Sequence, residues 1–517
     1  MTLPAADHPT ATRGHAILAL VITGTALVVI DMTIVTVALP AIQNDLGGTL
    51  AGIQWVIIGY LITMGAVTQV AGSLSDRIGR RRIYLLGIAL FTMASIVCGA
   101  APTTTLLDLA RAVQGIGGAI LMVNALPILS QHLDGERRNM AISTWGSAAT
   151  AAGLIAPLLG GALVDALSWR AIFLINVPIG AAAFVMCLRT LPADTPRRAQ
   201  PEARHGRTDW TGTALLIASL ALANLALLRG EDQGWASAAT LTQLTAAAAL
   251  FATFLLLQPR AGAPTLDITL FRKPAFTGAA LAVFISRVLS IGGTVYFVQY
   301  FQGSLHLNPT QSGLLLTPVF LAQMAAGLLG GKLLTRFAPG HVIAGGYACK
   351  AAGATLLALA FTPDISPWLL TIPLLIWGIG GGIAGAPVMA VAMNVTDKQR
   401  AGMAAGTITS LASIGAGIGT AVLGAVYTTS LTATLATAPS LPTATREAIL
   451  TAAAGDVERI LDLTPATART TVEDLLANAI ASGASAVLYT SAGLAVITIA
   501  LVLTLIRNHP QPQPPKK

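Results

Sequence analysis

Four ionisable side chains interrupt the long apolar runs of this 517-residue chain: Asp31, Arg111, Arg287 and Lys350. Asp31 stands about fifteen residues into the run from Ala16 to Pro40, which at about 1.5 Å per helical residue sets it deep in a bilayer. An ionised aspartate there costs about 2.5–3.5 kcal/mol even on the lenient insertion scale. A carboxylate kept at that depth is expected to bind a proton or cation, the alternative being a permanent partner for a buried arginine. Arg111 lies in Leu107-Asp108-Leu-Ala-Arg111-Ala-Val-Gln114-Gly115-Ile-Gly117, beside small residues that allow close helix approach. Arginine keeps its proton, so its chemistry would be to tune a nearby acid, with Asp31 the first candidate. Snorkelling to the membrane surface is the alternative. Arg287 falls near the middle of its run, where it would pair with Asp31 or attract an anionic substrate group. Lys350 is expected to snorkel or to pack against a polar neighbour. Tyr296, Gln299 and Tyr300, near Arg287 in the chain, and Asn124 are weaker candidates for a substrate cavity.

The elements that must position these residues are membrane helices. Hydrophobic residues make up 54% of the chain and charged residues 10%, with a mean hydropathy of +0.73. Soluble domains carry about 25% charge. Apolar runs of spanning length predict fourteen helices, near 16–40, 51–73, 83–101, 105–130, 139–164, 170–190, 210–228, 237–258, 275–301, 311–334, 341–361, 367–393, 401–429 and 484–507. The net charge of +8 gathers in short connections, alternating with loops that hold Asp45, Asp108, Glu231, Asp232 and Asp364. Positive loops stay in the cytoplasm, so an even number of spans with both termini inside is expected. This distribution accounts for the charge without nucleic acid. Residues 1–13 are polar and the first run is too long for a cleavable signal, so it is expected to remain as a span.

The most basic connection is Gly72-Ser-Leu-Ser-Asp76-Arg77-Ile-Gly79-Arg80-Arg81-Arg82, read as a loop at a membrane face. Residues 191–209, with three prolines and four arginines, read as a linker between halves. A weak second copy of the basic motif, Gly331 to Phe337 with Thr335 in place of the aspartate, supports two related halves. Residues 430–483 read as a long outer loop containing a helix, with Thr464-Pro465 as a helix start and Thr470 with Glu473 as a capping box. The tail 508–517 is proline-rich and expected to be disordered.

In spacing and order these motifs resemble the fourteen-helix drug:proton antiporter branch of the major facilitator superfamily, over nearly the whole chain. The resemblance is carried by Asp31-Met-Thr-Ile-Val-Thr-Val-Ala-Leu-Pro40, the 72–82 motif, the Arg111 motif and Gly153-Leu-Ile-Ala156-Pro157-Leu-Leu-Gly160-Gly161. Trp169-Arg170 through Asn-Val-Pro178 also looks like this branch. Thr36 replaces a usual asparagine and Ala156 a usual glycine. The resemblance implies an all-α major facilitator fold: an N-terminal six-helix bundle (1–190), the linker (191–209), two inserted helices (210–258) and a C-terminal bundle (259–507). It implies that Asp31 and Arg111 handle the proton, while Gly72, Asp76, Arg77, Gly79 and Arg80 bias the conformational equilibrium. Gly153, Pro157, Gly160 and Gly161 would form the antiporter helix.

Enzymatic readings find no support. There is no phosphate-cradling GKS or GKT loop, no HExxH and no spaced His/Cys cluster, and Cys98, Cys187 and Cys349 read as packing residues. No metal or organic cofactor is expected, the proton being the coupling ion. The expectation is a monomeric, multi-pass exporter of amphipathic small molecules in a bacterial inner membrane. Export of lipid or of a host natural product, and ligand sensing without transport, are the alternatives.

Overall fold

The computed structural model describes residues 11–47, 50–133, 135–194, 209–261, 264, 266, 268–334, 336–394, 401–436 and 469–506. Among them the regular structure is helical throughout. The N-terminal bundle comprises α1 (Ala11–Leu46), α2 (Leu50–Ile78), α3 (Arg80–Gly99), α4 (Thr104–His132), α5 (Gly135–Ala166), α6 (Ala171–Leu174) and α7 (Asn176–Thr190). An inserted hairpin follows, α8 (Trp210–Gln233) and α9 (Ala238–Leu257). The C-terminal bundle comprises α10 (Pro274–Arg287), α11 (Gly293–Gly303), α12 (Pro309–Leu333), α13 (Pro339–Ala360), α14 (Thr371–Asn394), α15 (Ala401–Ala436) and α16 (Arg469–Leu505). Thirteen helices, with α6–α7 and α10–α11 each counted once, are long and apolar enough to cross a membrane, and α2 adds the apolar stretch Gly52–Thr68. Run length predicts fourteen spans; among the described residues thirteen qualify, and the remaining predicted span coincides with the shorter stretch in α2.

Helices that face lipid show it as a stripe. On α12, Leu314, Leu321 and Leu328 are exposed at seven-residue intervals, while Leu315, Val319, Ala322 and Ala326 are buried. The two bundles meet along two seams, α2 against α15 and α5 against α12. The hairpin lies over the first of these. Leu216 and Leu220 of α8 pack with Ile58, Ile62 and Ala66 of α2, with Ile414 and Ala421 of α15, and with Phe254 of α9.

Two boundaries differ from the sequence expectation. The 72–82 segment is not a loop: α2 continues to Ile78, α3 starts at Arg80, and Gly79 alone turns the chain at φ +119°. Arginines tolerate helix at a membrane face, so charge marks the depth of a segment and not its conformation. The 430–483 segment is also shorter than expected, because α15 runs to Ala436 and α16 begins at Arg469. Val472, Leu476, Ala479 and Ile480 form an apolar face that buries with Leu431 and Leu435, and this extends both helices. Thr470 therefore lies inside the first turn of α16 and does not precede a helix. Thr464-Pro465, the tail and most of the linker (195–208) lie outside the described residues.

Candidate functional site

Asp31 is fully buried in α1, and three donors share its carboxylate. Arg111 makes an ion pair with Oδ2, while Gln114 Nε2 and Asn176 Nδ2 donate to Oδ1 at 2.8 and 2.9 Å. Arg111 Nε donates to the Val56 carbonyl at 2.8 Å, and Nη1 donates to Gln114 Oε1 at 2.7 Å. The guanidinium lies 4.2 Å from the centroid of the Tyr60 ring and 5.7 Å from that of Phe173, a cation–π arrangement worth most where water is absent. Ser95 Oγ accepts from Gln114 at 2.8 Å and from Asn176 at 3.4 Å. The pair sits inside the N-terminal bundle, ringed by groups from α1, α2, α3, α4, α6 and α7. Of the two partners left open for Asp31, the structure supplies Arg111; Arg287 has no bond to it.

Glycines on α4 make the approach possible. A Cβ added to Gly115 would lie 2.3 Å from the Tyr60 carbonyl oxygen, and one on Gly117 would lie 2.8 Å from Phe91 N. Any side chain at Gly115 would push α2 away from α4. The Val56 carbonyl would then withdraw from Arg111, and the Tyr60 ring with it.

The basic motif is organised within the same bundle. Arg80 Nη1 donates to the Pro127 carbonyl at 2.7 Å, and Arg81 Nη2 to the Leu188 carbonyl at 2.9 Å. Gly79 offers no side-chain cap to α3. Asp194 supplies one from the start of the linker, accepting from Arg81 N at 3.2 Å and Arg82 N at 3.0 Å. Its carboxyl occupies the space where a Cβ on Gly79 would stand. Gly72 faces Val123 of α4, and Arg77 is exposed in the last turn of α2. Asp76 falls in that same turn, and its side chain lies outside the described residues. Asn124 is buried nearby, accepting from Ser75 Oγ and donating to the Ile120 carbonyl, so its amide joins α2 to α4.

Helix α5, which carries Gly153, Pro157, Gly160 and Gly161, touches both halves. Gly153 faces Val29, and Gly160 packs on Ile34, both of α1. Gly161 packs on the backbone of α12, where an added Cβ would lie 2.4 Å from the Pro309 carbonyl oxygen. Gly313 of α12 returns the contact against the Pro157 carbonyl, also at 2.4 Å. Hydrogen bonds among the described residues join the halves at this end: Thr310 N to Asp165 Oδ2 at 2.9 Å, Gln302 Nε2 to the Val37 carbonyl at 3.1 Å, and Gln54 Nε2 to Tyr296 Oη at 2.9 Å. All lie at the far end of the bundles from the arginine-rich turn. The halves are closed against each other there.

The remaining cavity candidates divide. Tyr296 and Tyr300 are fully buried. Tyr296 Oη donates to the Thr420 carbonyl at 2.8 Å, while Tyr300 Oη donates to the Thr362 carbonyl at 2.7 Å and its ring stacks on Phe361. Both hydroxyls are taken up by packing contacts, and Tyr296 belongs to the closed end. Gln299 is half-buried between them. Arg287 alone is exposed, and Lys350 is buried to 1%.

The sequence matches the Major Facilitator Superfamily over residues 21–420. The chain belongs to that superfamily. It is similar to a methylenomycin A resistance protein of Bacillus subtilis, with 30% identity over 82% of this chain and 90% of the relative. It is also similar to the multidrug resistance protein Stp of Mycobacterium tuberculosis, with 34% identity over 81% of this chain and 77% of the relative. A tetracenomycin C resistance and export protein of Streptomyces glaucescens is 32% identical over 78% of this chain and 73% of its own. Among solved structures, a bacterial homologue of the human lysosomal transporter Spinster, in an inward-facing and unoccupied conformation, superposes with a TM-score of 0.66. It covers 96% of this chain and 98% of its own at 17% identity, a likeness of fold. The protein is a multi-pass membrane transporter of the superfamily and not an enzyme.

Within that family fold, sequence reasoning missed Gln114, Asn176 and Ser95 as site residues, although two lie inside quoted motifs. Neutral polar residues are common in membrane helices, and nothing in their own spacing set these three apart. Asp194 was missed because it caps a helix more than a hundred residues away.

Proposed function

We propose that this protein is a proton-coupled exporter of amphipathic small molecules, working by alternating access with Asp31 as the proton site. The observation that carries the reading is the short path from Asp31 to the closed end. One turn beyond Asp31 on α1, Ile34 packs on Gly160, and the adjacent Gly161 packs on Pro309 of the other half. One turn further, the Val37 carbonyl takes the hydrogen bond from Gln302. A change of charge on Asp31 therefore acts on the same helix that holds the two halves together.

Protonation of Asp31 cancels its charge and leaves Arg111 with neutral acceptors only, the Val56 carbonyl and Gln114. A buried cation that loses its counter-ion is strongly destabilised, and α1 and α4 must rearrange to relieve it. Taking the arginine-rich end as cytoplasmic, the end closed in this structure is the outer one. Proton arrival from outside then accompanies the return to this state, and proton release inside accompanies export. Each proton moving inward supplies about 2.3 kcal/mol per 100 mV of membrane potential, and about 1.4 kcal/mol per unit of pH difference. The resistance and export proteins similar to this chain support drugs or antibiotics as cargo. The protein acts as a monomer in a bacterial inner membrane, with both termini cytoplasmic.

The test is substrate-evoked proton movement in proteoliposomes under an imposed pH difference. Native protein and Asp31→Asn are compared across cationic, neutral and anionic amphipaths. Proton movement with at least one class, lost in the variant, is the expected result. Movement that survives in Asp31→Asn would remove that residue from the mechanism.

A further inference from the structure

Between Ala275 and Gly303 one residue is exposed, and it is Arg287. A helix that faces lipid shows a stripe of exposed residues, as α12 does; this span shows none. The exposed surface of Arg287 therefore faces an opening inside the protein. Thirteen residues beyond Pro274, at about 1.5 Å per residue, that is about 20 Å in from the arginine-rich end.

Beside it is a second cation. Lys350 of α13 turns inward, donating from Nζ to Ser290 Oγ at 2.8 Å and Ser286 Oγ at 3.4 Å, with the Trp377 ring centroid 5.3 Å away. Ser286, which Lys350 reaches, is the chain neighbour of Arg287 on the same turn. Among the described residues neither Lys350 nor Arg287 has a carboxylate partner, whereas Arg111 has Asp31. Gly381 of α14 faces the same point: a Cβ there would make ordinary contact with Lys350 Cε at 3.4 Å and with the Gln323 amide carbon at 3.6 Å. The helix carrying Arg287, Ser286 and Ser290 widens into a π-turn at Val288–Gly292, a distortion frequent at ligand sites. Two basic side chains at mid-membrane depth with no carboxylate among the described residues are costly to keep charged unless an anion completes the site.

We propose that Arg287, Lys350, Ser286 and Ser290 form an anion-binding subsite for the acidic head of an amphipathic organic acid. Arg287 meets the incoming carboxylate from the open side, and Lys350 holds the Ser290 hydroxyl with its proton free to donate to it. The substrate's apolar body then lies in the opening between the halves. This deepens the export reading and rests on it for the word substrate, but the binding itself is independent of transport.

The experiment is equilibrium binding to the purified full-length protein of two matched probes, dansyl-phenylalanine and its methyl ester, which differ by one negative charge. Native protein is expected to prefer the acid by about tenfold or more, the worth of one charge-assisted hydrogen bond. Arg287→Gln is expected to lose most of that preference, Lys350→Met to reduce it, and Arg287→Lys to retain it. Elution profile and melting temperature of each variant establish that it is folded. Native protein that binds both probes equally, or neither, overturns the proposal, as does a preference that persists in folded Arg287→Gln. Acid preference without evoked proton movement in liposomes would sink antiport and leave the subsite standing; antiport with no acid preference would do the reverse.

Discussion

Asp31 and Arg111, eighty residues apart in sequence, form an ion pair with no exposure to solvent, and every remaining hydrogen bond of the pair is made inside one bundle. The pair is therefore a unit that its own half carries, and what it transmits to the other half must pass through α1 and α5.

Breaking that unit from either side is expected to be costly. Asp31→Asn or Arg111→Gln alone should destabilise the protein by roughly 3–5 kcal/mol, the usual cost of stranding a buried charge. The double variant should recover most of the loss, since no charge is then left unpaired. Melting temperatures in detergent for the two single variants and the double one measure this. A double variant as unstable as the sum of the singles would mean that the two residues act separately. Transport should be absent in all three.

Gly161→Val should force the far end apart. Its Cβ would fall 2.4 Å from the Pro309 carbonyl oxygen, and backbone cannot yield as a side-chain tip can. Spin labels at the exposed Leu167 and Leu314 report the separation of α5 from α12. The distance is expected to lengthen relative to the same labels on the native background. An unchanged distance would show that this contact does not hold the closed end.

Asp194→Ala should cost about 0.5–2 kcal/mol, the range for loss of a helix cap. Gly79→Ala should cost more, because it both strains a backbone at φ +119° and displaces Asp194 from its place on α3. Paired thermal melts rank the two. Equal losses would mean that displacement of Asp194 accounts for the whole effect.

Asp45 offers the contrast. It accepts from Arg170 at 2.5 Å and from Trp169 at 2.9 Å, but the two charged side chains are 47% and 35% exposed. Asp45→Asn should alter stability by less than about 1 kcal/mol, and added salt should narrow the gap further. A larger loss, undiminished by salt, would place this pair among the structural contacts of the fold.

The sequence disclosed what depends on local composition. Run length located the spans, and an aspartate and an arginine standing alone in hydrocarbon announced themselves by their cost. The glycines of α4 and α5 were legible as close contacts, but not which neighbour each would touch. What stayed hidden was the neutral and the distant. Gln114, Asn176 and Ser95 complete the shell of Asp31 without any charge to mark them, and Asp194 reaches a helix that the chain left long before. Tyr296 and Tyr300 had the look of a binding face because aromatic residues one turn apart pack a core as readily as they meet a ligand. The 72–82 segment was misread for a related reason: charge reports the surroundings of a segment more directly than its backbone.

The hairpin of α8 and α9 makes the molecule's two flanks unequal. Along one flank α8 roofs the line where α2 meets α15; along the other, no helix among the described residues covers α5 and α12 in the same way. Among the described helices, one seam is thus covered from the lipid side and the other is not. The two seams therefore stand in unlike surroundings, an asymmetry that two matched bundles alone would not have.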